Sequence, residues 1–283
     1  MTGWSLLRKT LRYHWRTNLG VGLGVVAAAA VITGALVVGA SVQTSLLEMH
    51  LDRLGKVDHA ILGRDSFIRE ELADDLQAAL GDEVAVAPLI MMRASLEAGG
   101  VESVGNREGL RVGGVMVYGV DQRFWKIVQH GEVSVPKAGE VVLSEGVASE
   151  LGKGLVSGDD VRLWMELPNA IPRDSLLGDR DNDTIDLPLK VRGTFGPSDA
   201  IARRGVGRFD LNPSQQQPKI AFIALSTLQE TLALNKRRVR NREQRRFDEY
   251  PARVNTLLVA GGEGDRVQRG LAKAISFEDL GLS

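Results

Sequence analysis

The sequence contains no cysteine, and this absence excludes several kinds of chemistry at once. Thiol catalysis, disulfide bonds and cysteine-based zinc sites are all impossible, although the cellular compartment stays open. The HExxH zinc motif, the GxSxG nucleophile motif and the GxxxxGK phosphate loop are absent as well. The histidines, which show no metal-site spacing, are His14, His50, His59 and His130. We therefore predict no catalytic, cofactor-binding or metal-binding residue, and we expect that the chain is not an enzyme.

The chain also lacks a strong charge of either sign, since its formal net charge is −1. A protein without polyelectrolyte character is not expected to bind nucleic acid. Residues 236–246 are the local exception, with seven basic side chains opposed only by Glu243. Such a run can bind nucleic acid or anionic lipid, but it is more typical of a solvated helix face or a mobile connection. We therefore predict a solvated helix face or a mobile connection.

The sequence contains only one long hydrophobic run. Residues 17–47 contain no charged side chain, and residues 19–40 form their apolar centre. As a helix this centre is about 33 Å long, which is enough to cross a hydrocarbon core of about 30 Å. A soluble core helix would show a polar stripe, and the apolar part of a cleaved export signal is usually about 7–15 residues long. The run therefore predicts a transmembrane helix, with signal cleavage before Ser41 as the alternative.

The charges that flank this run predict its orientation. Four basic residues precede it without any acidic neighbour, whereas Glu48 and Asp52 follow it. The basic residues are Arg8, Lys9, Arg12 and Arg16. Because Lys and Arg are retained on the cytoplasmic side, we expect the N-terminus inside and the long remainder outside. Trp4, Leu7, Leu11 and Trp15 recur at helical spacing, which predicts an amphipathic helix over residues 1–16 on the inner leaflet.

Small residues within the run favour close packing of this helix against other helices. Gly20 and Gly24 form a GxxxG pattern, and further Gly and Ala residues follow. The same residues match part of a dinucleotide-binding fingerprint, through Gly22, Gly24 and Ala27. No strand precedes the match and residue 47 is leucine where an acidic residue is needed, so we reject that interpretation.

After the run, the pattern is one of strands with interspersed helices, which predicts an α+β domain. The first helix should continue through residue 53 and end at Gly55, and a second amphipathic helix should cover residues 67–80. Two further helices are predicted. One begins at Ser144, which we expect to cap it, and ends at Gly152, and the other begins at Ser226, where Gln229 completes a capping box. The predicted strands are residues 83–90, 113–120, 139–144, 161–167, 187–195, 219–225 and 254–260.

An acidic segment, residues 168–186, interrupts this pattern and partly matches a calcium-binding loop. Asp179, Asp181 and Asp183 occupy alternate positions, as in the first half of an EF-hand loop. However, Thr184 replaces the required glycine and Lys190 replaces the required bidentate glutamate. We expect a solvated acidic loop.

The order of these parts resembles a known family. The stalk "GALVVGASVQTSLLEMHLDRLGKVDHAILG" is followed by "VYGVDQRFWKI" (117–127), "GEVVLSEGVASELG" (139–152) and "SGDDVRLWME" (157–166). Together they resemble the permease subunits of ABC transporters of the FtsX-like, MacB type. The resemblance implies a cytoplasmic amphipathic helix over residues 1–16, a transmembrane helix over residues 17–47 and an extracytoplasmic MacB-like core domain over residues 48–283.

The resemblance also implies a function. In that family a separate cytoplasmic ATPase drives motions that are transmitted outward for export, lipoprotein release or activation of cell-wall hydrolases, and the permease itself has no catalytic residues. The expected partners are this ATPase, a second permease copy or a paired permease, and membrane lipid, with no nucleic acid. The expected location is the bacterial inner membrane, with the main domain in the periplasm.

The chain departs from the family pattern in one respect. After Ala40 no second run approaches 18 apolar residues, whereas the family has three further spans. We therefore expect that the coding sequence continues past Ser283 and encodes these spans. The alternative is a single-span, membrane-anchored extracytoplasmic adaptor or binding protein, and an anchored hydrolase is disfavoured because no nucleophile–base or metal motif is present.

Overall fold

The computed structural model describes residues 3–63, 66–98, 110–128, 135–152, 155–166, 184–195, 206–211, 217–241, 246–276 and 279. The chain divides into two compact units, Met1–Leu51 and Asp52–Ser283. The residues that suggested a calcium loop, Asp179, Asp181 and Asp183, lie outside the described residues.

The first unit is helical. Helix α1 covers Gly3–Tyr13, and after a break at His14 helix α2 covers Trp15–Leu54. The side chains along the apolar centre of α2 are exposed, as expected for a helix whose natural surroundings are not water. Gly55 follows the last helical residue with a φ of 64°, a left-handed conformation that glycine adopts without strain. The predicted end of the helix at Gly55 is confirmed.

The second unit contains the strands and the shorter helices. The strands are β1 (His59–Leu62), β2 (Ile68–Arg69), β3 (Ala85–Ala98), β4 (Arg111–Val120), β5 (Glu140–Ser144), β6 (Asp160–Glu166), β7 (Thr184–Phe195), β8 (Ile220–Ala224), β9 (Arg237–Asn241), β10 (Arg246–Tyr250), β11 (Arg253–Val254) and β12 (Thr256–Ala260). The helices are α3 (Glu71–Leu80), α4 (Gln122–Ile127), α5 (Glu145–Leu151), α6 (Leu225–Thr231) and α7 (Gly264–Ala274). The fold is therefore α+β behind one long apolar helix, as predicted.

Eight strands form a single mixed sheet in the order β1-β12-β3-β4-β8-β5-β7-β6. The neighbours β4 and β8 are parallel, as are β5 and β7, and the other pairs are antiparallel. Strand β6 also pairs with the second half of β3, so that six strands close into a ring. Helix α5 contacts β3, β4, β5, β7 and β8 and thereby covers one end of this ring.

Asn255 allows β3 to change partners along its length. The first part of β3 pairs with β12 up to Leu89, and the part from Ala94 onward pairs with β6. Between them, the backbone N–H of Met91 donates to Asn255 Oδ1, and Asn255 Nδ2 donates to the carbonyl oxygen of Met91, both at 2.8 Å. The side-chain amide thus replaces a backbone partner and satisfies both polar groups of Met91.

Two apolar clusters lie on opposite faces of the sheet. The larger one joins side chains from all six ring strands with α3, α5, α6 and α7. The smaller one is rich in aromatic rings, with ring centroids between 5.2 and 5.6 Å apart in edge-on, tilted and stacked pairs. Its aromatic members are Tyr118, Phe124, Trp125, Phe195, Phe209 and Phe222. Edge-on aromatic pairs contribute beyond the area they bury, which compensates for the low aromatic content of the chain.

Three local predictions are wrong. The helix expected from residue 67 begins at Glu71, because Ile68 and Arg69 pair as a short strand with β11. Ser144 does not cap α5 with its side chain; its Oγ instead accepts from Ile220 N–H and donates to the carbonyl of Pro218. Likewise Gln229 forms no capping box, because its amide bonds Glu70.

The basic run is also different from the prediction. Within the run, residues 237–241 and Arg246 form neither a helix face nor a connection, because they belong to β9 and β10, which pair into an antiparallel ribbon. Cross-strand pairing explains this choice: Arg238 lies opposite Glu249 and forms an ion pair at 2.8 Å, and Arg237 stacks over Tyr250. The partners of the arginines lie beyond the run itself, so the run alone did not reveal them.

The substitution Gly119→Ala should destabilise the second unit. A Cβ at this position of β4 would lie 2.6 Å from Leu228 Cδ1 of α6, so the buried Leu228 side chain or the helix that carries it would have to shift. Overpacking of this kind costs about 1–3 kcal/mol of unfolding free energy. Urea unfolding of the full chain in detergent, followed by tryptophan fluorescence, measures the change.

Gly193→Ala is the matched control, because Gly193 lies in β7 and a Cβ there meets nothing within 4 Å. It should change the unfolding free energy by less than about 0.5 kcal/mol. Equal effects of the two substitutions would contradict the proposed contact.

Candidate functional site

One helix of the described chain has the length and apolar character to cross a membrane. It is α2, whose best 18-residue window has a mean hydropathy of 2.5. Gly20, Ala27, Gly34 and Ser41 recur every seventh residue along it, which places small side chains on one face. A Cβ built on Gly20 or Gly34 would meet no described atom within 4 Å. This face can therefore accept another helix at close range.

In the second unit, a cleft opens where two parallel strands end. Strand β4 ends at Val120 and strand β8 ends at Ala224, and these two residues are register partners. The cavity has a volume of about 550 Å³. Its walls are largely apolar and come from Val120, Val135, Pro136, Ala224 and Leu225. Its polar lining comes from Glu70, Asp121, Gln122, Lys137, Ser226 and Gln229.

Arg123 holds three carboxylates together beside this cleft. Its guanidinium pairs with Glu70 Oε1 at 2.8 Å, with Asp74 Oδ1 at 2.7 Å and with Asp121 Oδ2. Partial burial alone would lower the pKa of Arg123, but the hydrogen bond and charge of Asp121 and the charges of the other two carboxylates outweigh it and raise the pKa. The cation is thus permanently charged and fixes Glu70 and Asp121 at the cleft.

Asp121 explains why a short helix starts at this point. Its Oδ1 accepts hydrogen bonds from the backbone N–H groups of Arg123 and Phe124, at 2.9 and 3.2 Å, which caps α4. The helix then directs Phe124 and Trp125 into the aromatic cluster. An aspartate followed by an amphipathic stretch was the available sequence signal for this cap, and the sequence analysis missed it.

A second arginine lies one residue before Glu70 and anchors a residue far away in the chain. Arg69 forms a two-point ion pair with Asp279, with its Nε 3.0 Å from Oδ1 and its Nη2 2.9 Å from Oδ2. Ser276 donates to the same carboxylate through its backbone N–H and its hydroxyl. Burial alone would raise the pKa of Asp279, but these hydrogen bonds outweigh it and lower the pKa to about 2.

No site residue was predicted from the sequence, and Ser226 and Gln229, which were predicted only to cap a helix, line the cleft. Within the described part of the chain, no group of three histidine, aspartate or glutamate residues could hold a metal ion. The cleft combines four separate segments, around Glu70, Asp121, Lys137 and Gln229. No short motif joins them, and only the fold brings them together.

The sequence model of one protein family, described as the MacB-like periplasmic core domain, matches residues 17–269. The match begins within α2 and includes both arginine clusters except Ser276 and Asp279. Among the curated proteins no sequence matches the chain.

Asp279→Asn should make the domain less stable in a pH-dependent manner. The carboxylate has a pKa of about 2 in the folded chain and 3.8 ordinarily, so its stabilisation is fully present above pH 3.8 and is lost as the pH falls through about 2. The variant should be less stable by about 2 kcal/mol at neutral pH, and this difference should shrink below pH 4. Urea unfolding between pH 2.5 and 7 measures it.

Asp186→Asn serves as the control, because Asp186 pairs with an exposed arginine, Arg162, at 3.3 Å. It should cost less than about 1 kcal/mol. A difference between wild type and Asp279→Asn that stays constant down to pH 2.5 would contradict the assignment.

Proposed function

The chain belongs to the family of proteins with a MacB-like periplasmic core domain, and on this premise we propose that it acts as a permease subunit of an ABC transporter. In this role it couples ATP hydrolysis by a separate cytoplasmic ATPase to export, lipoprotein release or mechanical signalling outside the cytoplasm. The observation that carries the proposal is the extent of the match, which includes most of the apolar helix as well as the domain.

The charge distribution around α2 supports an orientation. Basic residues such as Arg12 and Arg16 precede the span, and the acidic residues Glu48 and Asp52 follow it. Under the positive-inside rule α1 is cytoplasmic and the domain lies in the periplasm, with α2 in the bacterial inner membrane. Exposed Trp4 and Trp15 suit the polar boundary of the inner leaflet, so lipid is a partner of α1.

The small-residue face of α2 supports association with other helices. Leu-rich helices gain little by leaving lipid, whereas glycine and alanine allow backbones to approach closely and pack well. A seven-residue spacing favours a left-handed crossing. This face accordingly binds a second permease copy or a paired permease.

The chemistry of transport comes from the ATPase in this proposal. The sequence offers no phosphate-binding loop and no nucleophile–base pair, so the permease contributes binding and motion. We propose that the chain is not itself an enzyme and needs no cofactor.

The absence of cysteine allows a direct test of orientation. Lys9→Cys and Lys273→Cys each introduce a single thiol at an exposed position. A membrane-impermeant maleimide should label Lys273→Cys in intact spheroplasts and Lys9→Cys only after permeabilisation. The reverse pattern would contradict the orientation, and recovery of a mature protein that begins at Ser41 would identify a cleaved signal.

The coupling itself can be tested by purification from native membranes. A tagged chain solubilised in mild detergent should bring down an ATPase with a GxxxxGK[ST] loop in a constant ratio. Gly34→Leu should reduce this recovery several-fold, because leucine blocks the small face on which the complex assembles. Val25→Leu, which lies on another face of α2, should not. Purification without any ATPase would leave the single-span adaptor as the better account.

A further inference from the structure

The cleft at the ends of β4 and β8 has the architecture of a ligand site. The helices that follow these two adjacent parallel strands leave toward opposite faces of the sheet. Phe124 and Trp125 of α4 join the aromatic cluster, whereas Leu225 and Leu228 of α6 join the larger core. Divergence of this kind opens a crevice beyond the carboxyl ends of the strands, which is where α/β sheets bind ligands. The volume of about 550 Å³ lies within the range of small-molecule pockets.

At the base of the cleft, Gln229 presents an unused acceptor. Gln229 is 7 % exposed. Its side-chain Nε2 donates to Glu70 Oε2 at 2.8 Å and to the carbonyl oxygen of Arg253 at 3.4 Å. Because both partners only accept, they fix the amide orientation. No donor to Oε1 is found among the residues that the structure describes. Gln229 lines the cleft and its Oε1 is not among the fully buried unpaired atoms, so this oxygen is accessible from the cleft and can accept a donor from a ligand in place of water.

The charge near Gln229 favours a positively charged donor. Glu70, Asp74 and Asp121 supply three negative charges, and Arg123 neutralises only one of them. The remaining excess stabilises a cation at short range, where water is partly excluded. Glu70 has lone pairs left after its two hydrogen bonds, so it can accept a third.

The lining of the cleft also carries a positive charge. Lys137 contributes an exposed ammonium group, and no described carboxylate pairs with it. Its backbone N–H, by contrast, is held by Glu140 at 3.0 Å, which fixes the position of the segment. The lining also includes apolar side chains, among them Val120, Pro136 and Leu225.

We propose that this cleft binds a zwitterionic ligand of amino-acid type, either a free amino acid or a dipeptide with an apolar side chain. The ammonium group of the ligand donates to Gln229 Oε1 and lies beside Glu70. Its carboxylate pairs with Lys137, and its side chain packs against Val120 and Leu225. The site is independent of the transport role, because it needs neither the ATPase nor the membrane helix.

Calorimetric titration of the full chain in detergent with leucyl-alanine tests the proposal. The dipeptide should bind saturably, and N-acetyl-leucyl-alanine, which lacks the ammonium group, should bind at least tenfold more weakly. Leucyl-alanine amide, which lacks the carboxylate, should lose affinity by a smaller factor. No saturable binding up to 10 mM, or equal binding of the acetylated compound, would overturn the proposal.

Substitutions locate the binding in this cleft. Gln229→Met removes the acceptor at similar volume and should weaken dipeptide binding about tenfold. Lys137→Ala should weaken dipeptide binding but leave binding of the amide unchanged, and it changes an exposed side chain that folding does not require. Lys273 is an exposed lysine on α7, and Lys273→Ala should alter neither the binding of the dipeptide nor the binding of its amide. Unchanged dipeptide binding in Lys137→Ala would overturn the assignment of the carboxylate end.

Discussion

Strand β3 is the constraint on which the second unit depends. It is the only described strand that pairs with three others, β12, β4 and β6, and its pairing with β6 closes the ring. The change of partner is possible because Asn255 satisfies Met91 where neither β12 nor β6 reaches. Ring closure in turn makes α5 a cover for one end and defines an inner and an outer face. The aromatic cluster and the cleft both follow from that separation.

The sequence predicted those parts of the fold whose signals are local and strong. The apolar run around Ala30 has the length and composition of a membrane-crossing helix, and alternating residues such as Leu189 and Val191 indicate one buried face of a strand. The end of α2 at Gly55 was predictable for the same reason, because glycine accepts the required left-handed conformation. The family resemblance is confirmed by the domain match, and it rests on the order of these local signals.

The remaining features depend on contacts between distant residues, which no local pattern contains. Ser144 and Gln229 looked like caps, but a hydroxyl or amide bonds whichever partner the fold brings nearest, and here those partners are Ile220 and Glu70. The arginines of β9 were ambiguous until Glu249 and Tyr250 lay opposite them. The cleft could not be predicted for the same reason, since Glu70, Asp121 and Gln229 belong to segments that lie far apart in the sequence.

The order of the strands along the chain has a consequence for how the protein is made. During synthesis β3 emerges more than a hundred residues before β12, so one edge of a long apolar strand stays open while the intervening chain is produced. Such an edge is a template for pairing with other chains. Contacts of this sequence separation also form slowly, because the closing of a long loop precedes any gain from pairing. A holding chaperone that shields residues 85–98 until residues 256–260 arrive would therefore raise the yield of native protein.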